Sequence, residues 1–299
     1  MMASFIMSSR LNAVIFTLAM TLISFVLAPV GIFANAAVAL VTLRLGAKQG
    51  LLVALPVTVG LALIITVLQG NTLVGLASGL VSWLPIIALG AILERTVSWT
   101  QALQYLFAIL AILIIAFHLI LGNPATLWEQ WLTALVNYLP LENTEQTLQL
   151  TQAMKISAPY MTGVLAALLG VHWITSLMLG RYWQAQLYNP GGFQVELHRM
   201  RISKPLAMLM MVLVGLRLLT ESALLSDLIL VGLAVFLFAG LSLVHYSVYH
   251  LKLGIGWLIV LYLLLIVFTV PVSVILATLG IIDSQADFRR LISARKPTI

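Results

Sequence analysis

Cysteine is absent from this chain of 299 residues. A disulfide framework, a thiolate nucleophile and a cysteine-ligated metal or iron–sulfur cluster are therefore excluded. Charge is scarce as well: Asp, Glu, Lys and Arg make up 8% of the residues, whereas hydrophobic residues make up 62% and the mean hydropathy is +1.11. This balance is far from that of a soluble domain, and it predicts an all-α, polytopic transmembrane helical bundle.

Several enzyme motifs are missing too. The sequence has no zinc-peptidase H-E-x-x-H, no phosphate-binding G-x-x-x-x-G-K-[ST] and no G-x-S-x-G nucleophile elbow. Its five histidines are scattered along the chain, and no two of them stand four residues apart. We therefore predict no enzyme activity, no catalytic residue, no metal and no cofactor. The net charge of +6 comes without a basic patch of interleaved aromatics, so no nucleic-acid partner is predicted.

Nine apolar runs approach the length of about 20 residues that a helix needs to cross a bilayer. The second run is short and follows Pro29, and the seventh has about a dozen residues before Arg217. Eight or nine spans are therefore predicted, and we prefer eight. The runs are 11–28, 30–45, 51–69, 73–93, 102–121, 159–179, 205–219, 224–249 and 254–281.

The distribution of basic residues predicts a cytoplasmic N-terminus, because short basic loops stay inside. The loop 122–158 then faces outward with Glu129, Glu142 and Glu145. A ninth span would place the basic tail, with Arg295 and Lys296, on the outer side, and this is why an even count is preferred. The basic residues that fall inside are Arg10, Arg44, Lys48, Arg95, Arg181, Arg199, Arg201, Lys204 and Lys252.

One stretch between two spans, residues 180–202, concentrates charge and aromatic rings: GRYWQAQLYNPGGFQVELHRMRI. Its Asn-Pro-Gly-Gly sequence predicts a turn, because proline fixes φ and glycine accepts positive φ. After the turn the spacing of apolar residues predicts a short amphipathic helix, placing Arg199 and Arg201 to meet lipid phosphates or Glu196. Its aromatic residues, rigid turn and basic helix together are more than a signal for membrane topology requires. Its candidate functional residues are Arg181, Trp183, Asn189, Pro190, Gly191, Gly192, Phe193, Glu196, Arg199 and Arg201.

Polar residues inside the apolar runs are the candidates for ligand binding. Asn35 follows a proline break and Trp83 precedes Pro85, and helix breaks leave backbone groups available to a polar ligand. The histidines within the spans fit either an interhelical hydrogen bond or a ligand or proton role. Arg217 and Glu221 stand four residues apart, so a shared helix face would let them pair. The complete set is Asn35, Trp83, His172, Arg217, Glu221 and His245.

Three further patterns concern packing and membrane interfaces. Gly75 and Gly79 form a small-xxx-small step that lets another helix approach closely. Trp99 follows a charged helix end and is interpreted as an interfacial anchor. In the outer loop, residues 126–139 place two tryptophans and three leucines at helical spacing, which predicts a helix lying in the interface.

The same stretches carry a family resemblance. Three stretches of the chain resemble a family of uncharacterised bacterial inner-membrane proteins, grouped under a domain of unknown function. They are R-Y-W-Q-A-Q-L-Y-N-P-G-G-F-Q-V-E-L-H-R-M-R, L-S-L-V-H at 241–245 and L-G-I-I-D-S-Q-A-D-F-R-R at 279–290. The first part of the chain is similar to the substrate-binding S subunits of energy-coupling-factor vitamin transporters. That similarity rests on A-P-V-G-I-F-A-N-A-A-V-A-L-V-T-L-R-L-G-A-K-Q-G, a proline-broken hairpin leading into an apolar span.

The resemblance implies a bacterial cytoplasmic (inner) membrane protein with a six-helix, S-subunit-like core over residues 1–179. This core is followed by a cytoplasmic charged loop over 180–204, transmembrane helices over 205–281 and a basic tail over 282–299. The leading hypothesis is a small-solute-binding or transport-related protein, with coupling subunits as candidate partners. The alternative is a non-transporting membrane scaffold whose cytoplasmic loop binds a protein partner or anionic lipid. In both cases the lipid bilayer surrounds the chain.

Overall fold

The computed structural model describes residues 2–138 and 144–294, and nearly all of them are helical. No strand occurs in these two ranges, so the predicted all-α class is confirmed. The helices are α1 Met2–Ser8, α2 Arg10–Ser24, α3 Gly31–Leu45, α4 Ala47–Gln69, α5 Thr72–Thr96, α6 Trp99–Leu121, α7 Pro124–Asn137, α8 Thr144–Ser157, α9 Met161–Tyr188, α10 Gly192–Arg199, α11 Lys204–Leu219, α12 Ala223–His250, α13 Gly256–Val267, α14 Thr269–Ala286 and α15 Phe288–Ala294, with 3₁₀ turns at Ala28–Val30 and Ala158–Tyr160.

Seven helices in the described part of the chain are long and apolar enough to cross a membrane. They are α4, α5, α6, α12, α14, the α3 helix with its preceding turn, and the α8–α9 segment. The short helices α10 and α11 meet at 48° and raise the number to eight if the bent pair is one span. Eight is the lower of the two predicted numbers. The chain is an integral, multi-pass membrane protein.

Two predicted spans, 11–28 and 254–281, are wrong because the helix is interrupted within each of them. The run 11–28 is interrupted, because α2 ends at Ser24 and the chain turns before Pro29. The shorter second run is instead a full 18-residue segment, Ala28–Leu45. The run 254–281 is broken at Phe268, whose φ of −118° and ψ of 52° are not helical. These breaks reflect backbone geometry near proline, which hydropathy does not register.

Local side-chain chemistry explains where several helices begin. The Ser9 side chain accepts the Asn12 N–H at 3.1 Å at the start of α2, and Asn71 caps α5 in the same way. Asn123 caps α7, where Pro124 occupies the first turn and lacks only an N–H that would have no helical acceptor. The helix predicted over 126–139 is therefore confirmed, with bounds Pro124–Asn137.

Clustering of contacts divides the chain into two compact units. Unit 1 is the described part of Met1–Leu106, Val171–Arg201 and Ser242–Leu253. Unit 2 is the described part of Phe107–Gly170, Ile202–Leu241 and Gly254–Ile299. The predicted outer-loop residue Glu142 and the predicted tail residues Arg295 and Lys296 lie outside the described residues.

Helix α3 is the centre of unit 1, with every residue from Ala34 to Leu43 buried. Its alanines allow close approach: a methyl group built on Gly180 of α9 would lie 2.8 Å from Ala39 Cβ. The predicted small-xxx-small step is confirmed on α5, because a methyl group on Gly75 would lie 2.5 Å from the Ala62 Cα of α4. Unit 1 therefore packs backbone against backbone around α3 and α4.

Unit 2 contains an even closer helix crossing. A methyl group on Gly240 of α12 would lie 1.9 Å from the Leu276 carbonyl oxygen of α14. From the other side, a methyl group on Gly280 would lie 2.5 Å from the Phe236 carbonyl oxygen. The two backbones touch at this point because both helices carry glycine there.

Candidate functional site

Asn35 and His172 form a partly buried hydrogen bond within unit 1. Asn35 lies on α3 with 3% of its surface exposed, and its Nδ2 is 2.6 Å from His172 Nε2 on α9. Because an amide nitrogen only donates, Nε2 accepts and the His172 proton lies on Nδ1. The other amide atom, Asn35 Oδ1, is buried and has no hydrogen-bond partner among the described residues.

Trp83 on α5 shows the complementary feature. Its ring is 4% exposed, and its Nε1–H donor is buried with no acceptor in the part of the chain that the structure describes. One predicted ligand residue thus presents an unused acceptor and another presents an unused donor. Buried polar atoms without partners are rare in native proteins and call for a physical explanation.

One close contact joins the helices that carry these two residues. Gly90 of α5 packs on Thr42 of α3, since a methyl group there would lie 3.0 Å from Thr42 Cγ2. Asn35 and Trp83 each lie seven residues, or about two turns, before the residue of their own helix that makes this contact. Each therefore lies on the same face of its helix as that contact.

The predicted turn and helix of the charged stretch are confirmed. The Gly192 N–H donates to the Asn189 carbonyl at 3.0 Å, and Gly191 has a φ of +85°. Helix α10 begins directly at Gly192. The first nine residues of the stretch, 180–188, are the end of α9.

We expect Gly191→Ala to lower the free energy of unfolding by about 1 kcal/mol, because only glycine adopts this positive φ without strain. No neighbouring atom lies within 4 Å of the added methyl group among the described residues, so strain is the whole effect. Chemical unfolding of the purified protein measures it. Gly215→Ala, also in open space but helical, is the control; equal effects of the two changes would contradict the assignment.

Arg181 and Glu196 form an ion pair that fastens α10 to α9. Arg181 Nε donates to Glu196 Oε2 at 2.9 Å, and its Nη2 contacts Oε1. The side chains are only 17% and 14% exposed. Trp99 Nε1 also donates to Glu196 Oε2, at 3.3 Å. The suggestion that Glu196 serves Arg199 or Arg201 is therefore wrong, because α10 turns this carboxylate towards α9.

The aromatic residues of the stretch are packing residues. Trp183 is 5% exposed and packs edge-on against Phe16, with ring centroids 6.3 Å apart. Phe193 packs edge-on against Trp99 and Tyr182, at 6.3 and 5.8 Å. Trp99 is 3% exposed, so its interpretation as an interfacial anchor is wrong. These rings seat α10, whereas Asn189, Pro190 and Arg199 are exposed and Arg201 is half-buried.

The predicted pairing of Arg217 with Glu221 is also wrong. Helix α11 ends at Leu219, so the two residues share no helix face. Arg217 instead donates to Ser226 Oγ at 2.7 Å and to the Thr220 carbonyl at 3.0 Å. Both residues line the same cleft of unit 2. The last predicted ligand residue, His245, is half-buried on α12.

A buried aspartate, Asp227, was not among the predicted site residues. Asp227 on α12 is fully buried and contacts His118 of α6 and Gly163 of α9. The signal that could have found it is a lone carboxylate one turn inside a 28-residue apolar helix, ALLSDLIL. Its partners, 109 and 64 residues away, could not have been read from local spacing.

The apolar helices define the class, an integral membrane protein with several spans. No protein-family model, curated protein or solved structure matches the chain. Among the described residues no group of three or more His, Asp or Glu side chains is placed to hold a metal ion.

Proposed function

We propose that this integral membrane protein binds a small polar solute between α3 and α5 of unit 1, as a transport-related protein. The supporting observation is that each of these two helices carries a buried, unused polar atom, Asn35 Oδ1 on α3 and Trp83 Nε1 on α5. A buried polar atom without a partner costs about 1–3 kcal/mol, and a ligand that satisfies both atoms would recover that free energy on binding.

The chemistry of the two atoms indicates the class of solute. Asn35 Oδ1 accepts, so the solute carries an N–H or O–H donor, and Trp83 Nε1–H donates, so the solute also carries an acceptor oxygen or nitrogen. The buried residues of α3 and α5 include no charged side chain. A neutral solute with donor and acceptor together, such as an amide or a lactam-like heterocycle, fits this pattern best.

The basic residues support the finer location that we propose, the bacterial cytoplasmic membrane with the N-terminus inside. Arg44 lies in the last turn of α3 and Arg95 in the last turn of α5. Both helices therefore end with a cation, as expected for ends that face the cytoplasm.

The alternative function, a scaffold that binds through the charged stretch, has narrower support. Arg181, Trp183, Phe193 and Glu196 contact neighbouring residues and position α10. Asn189, Pro190, Gly191 and Arg199 are exposed, and of these Arg199 carries the charge that an outside partner could bind. A scaffold would depend on Arg199, whereas solute binding depends on Asn35 and Trp83.

The test is a thermal-unfolding screen of the purified protein with pooled neutral amides and heterocycles. We expect members of this class to raise the melting temperature of the wild type; a ligand at 100 times its Kd stabilises by about 2.7 kcal/mol. The shift should vanish in Asn35→Leu and in Trp83→Phe. Trp131→Phe is the matched control, since that ring is 69% exposed.

Two results would count against the proposal. One is the absence of any stabilising solute in the class. The other is a shift that persists undiminished in Asn35→Leu and Trp83→Phe, since binding would then occur elsewhere.

A further inference from the structure

Asp227 and His118 form a buried acid–imidazole pair in unit 2, outside the proposed solute site. Asp227 Oδ2 is 2.7 Å from His118 Nε2, and Oδ1 accepts the Gly163 N–H at 2.8 Å. The Asp227 side chain is 1% exposed and that of His118 is 12% exposed. An ionisable pair inside apolar helices is expensive to keep, which makes it a functional candidate.

Both oxygens of the Asp227 carboxylate have hydrogen-bond partners: Oδ1 accepts the Gly163 N–H, and Oδ2 contacts His118 Nε2. These two hydrogen bonds favour the ionised form, whereas burial of the carboxylate disfavours it. A carboxylate only accepts hydrogen bonds, so His118 Nε2 carries a hydrogen and donates it. His118 Nδ1 remains as the atom of the pair that gains or loses a proton.

The absence of a side chain at Gly163 lets α9 approach α12 closely. A methyl group on Gly163 would lie 2.5 Å from Asp227 Cα and 2.7 Å from its Oδ1. Because glycine carries no such group, its N–H reaches the carboxylate and donates to Oδ1 at 2.8 Å.

The pair lies near the ends of its two helices. His118 is three residues before the end of α6, and Asp227 is four residues after the start of α12. The His118 side chain is 12% exposed. Ser226, the residue before Asp227, lines a cleft of about 280 Å³. Helix α7 contacts residues adjacent in sequence to His118 and Gly163: Trp128 Nε1 donates to Thr162 Oγ1 at 2.8 Å, and its ring lies against Phe117.

We propose that His118 and Asp227 are a reversible proton-binding site. With Nδ1 unprotonated the pair has a net charge of −1; a proton taken from water onto Nδ1 gives an imidazolium–carboxylate pair of net charge 0. Removal of net charge from a low-dielectric site is favourable, so protonation stabilises the packing of α6 against α12. The site gives the protein a proton-linked state that does not depend on solute binding.

Few other ionisable groups can compete for this role. Arg217 of α11 is bound to Ser226 and to the Thr220 carbonyl. Glu129 of α7 and Lys155 of α8 pair with each other at 3.4 Å and are exposed. Tyr160 and Glu221 line the cleft. The contacts of the Asp227 carboxylate are to His118 and Gly163, so the proton balance of the pair is set by these two residues.

The test is the ¹⁵N spectrum of histidine-labelled protein in lipid nanodiscs, recorded between about pH 5 and about pH 8, where an imidazole changes charge. The ring shifts show which nitrogens carry hydrogen, and the signal lost in His118→Gln identifies His118. The wild type should convert from Nε2–H alone to the doubly protonated ring as the pH falls. In Asp227→Asn the doubly protonated form should be lost, because the imidazolium no longer has a counter-ion.

His250→Gln is the control, because that exposed ring should leave the His118 signal unchanged. Asp227→Glu should restore the doubly protonated form. A His118 ring in the wild type that keeps a single form over the whole range would overturn the proposal. Unchanged titration in a folded Asp227→Asn protein would overturn it as well.

Discussion

Glu196→Ala is expected to lower the free energy of unfolding by about 3 kcal/mol, because it leaves the Arg181 guanidinium mostly buried without its counter-ion. The Arg181 and Glu196 side chains are 17% and 14% exposed, and two guanidinium nitrogens contact the two carboxylate oxygens. The Trp99 indole would lose its acceptor at the same time. Unfolding by denaturant in mild detergent measures the change.

The ion pair offers two informative comparisons. Glu129→Ala removes a similar contact, Lys155 with Glu129, in which the side chains are 56% and 45% exposed, so about 0–1 kcal/mol is expected. The double change Arg181→Met with Glu196→Leu removes both charges and should recover much of the loss. If Glu196→Ala lowered the free energy of unfolding as little as Glu129→Ala, the ion pair would not be what holds α10 against α9.

Gly240→Ala is the second change with a large expected effect. The added methyl group would lie 1.9 Å from the Leu276 carbonyl oxygen, which is a backbone atom and cannot rotate away. Helices α12 and α14 must separate, so we expect a loss of at least about 3 kcal/mol, the upper end for overpacked interiors. Folded yield and the midpoint of thermal unfolding report it.

The control for this helix crossing is again Gly215→Ala. Gly215 lies within α11 and a methyl group there meets no described atom within 4 Å, so the higher helix propensity of alanine should stabilise the protein by up to about 1 kcal/mol. The two substitutions are chemically identical and differ in their neighbours. Changes of the same sign and size would show that the α12–α14 crossing is looser than described.

Sequence reasoning succeeded where the signal is local. Hydropathy predicted the all-α membrane class, and the proline and glycines at 190–192 predicted the turn before α10. Hydropathy did not predict the places where backbone geometry interrupts an apolar run, as before Pro29 and at Phe268. A run of hydrophobic residues has the same composition whether it is straight or broken.

The candidate sites were predictable only in part, because their geometry is set by long-range packing. Polar residues near helix breaks singled out Asn35 and Trp83, but the packing of the helices that carry them depends on close contacts such as Gly90 with Thr42. Likewise, Asp227 is conspicuous in the sequence, whereas its partner His118 is 109 residues away.

The burial of α3 has a consequence for biogenesis. Ten successive residues, Ala34 to Leu43, are covered by protein, and part of that cover comes from α9. On the ribosome, α3 is complete about 140 residues before the end of α9, a delay of roughly 7–30 s at 5–20 residues per second. During this interval its alanine-rich surface faces lipid or a membrane insertase, so α3 obtains its full cover of protein only after α9 has been made and has docked.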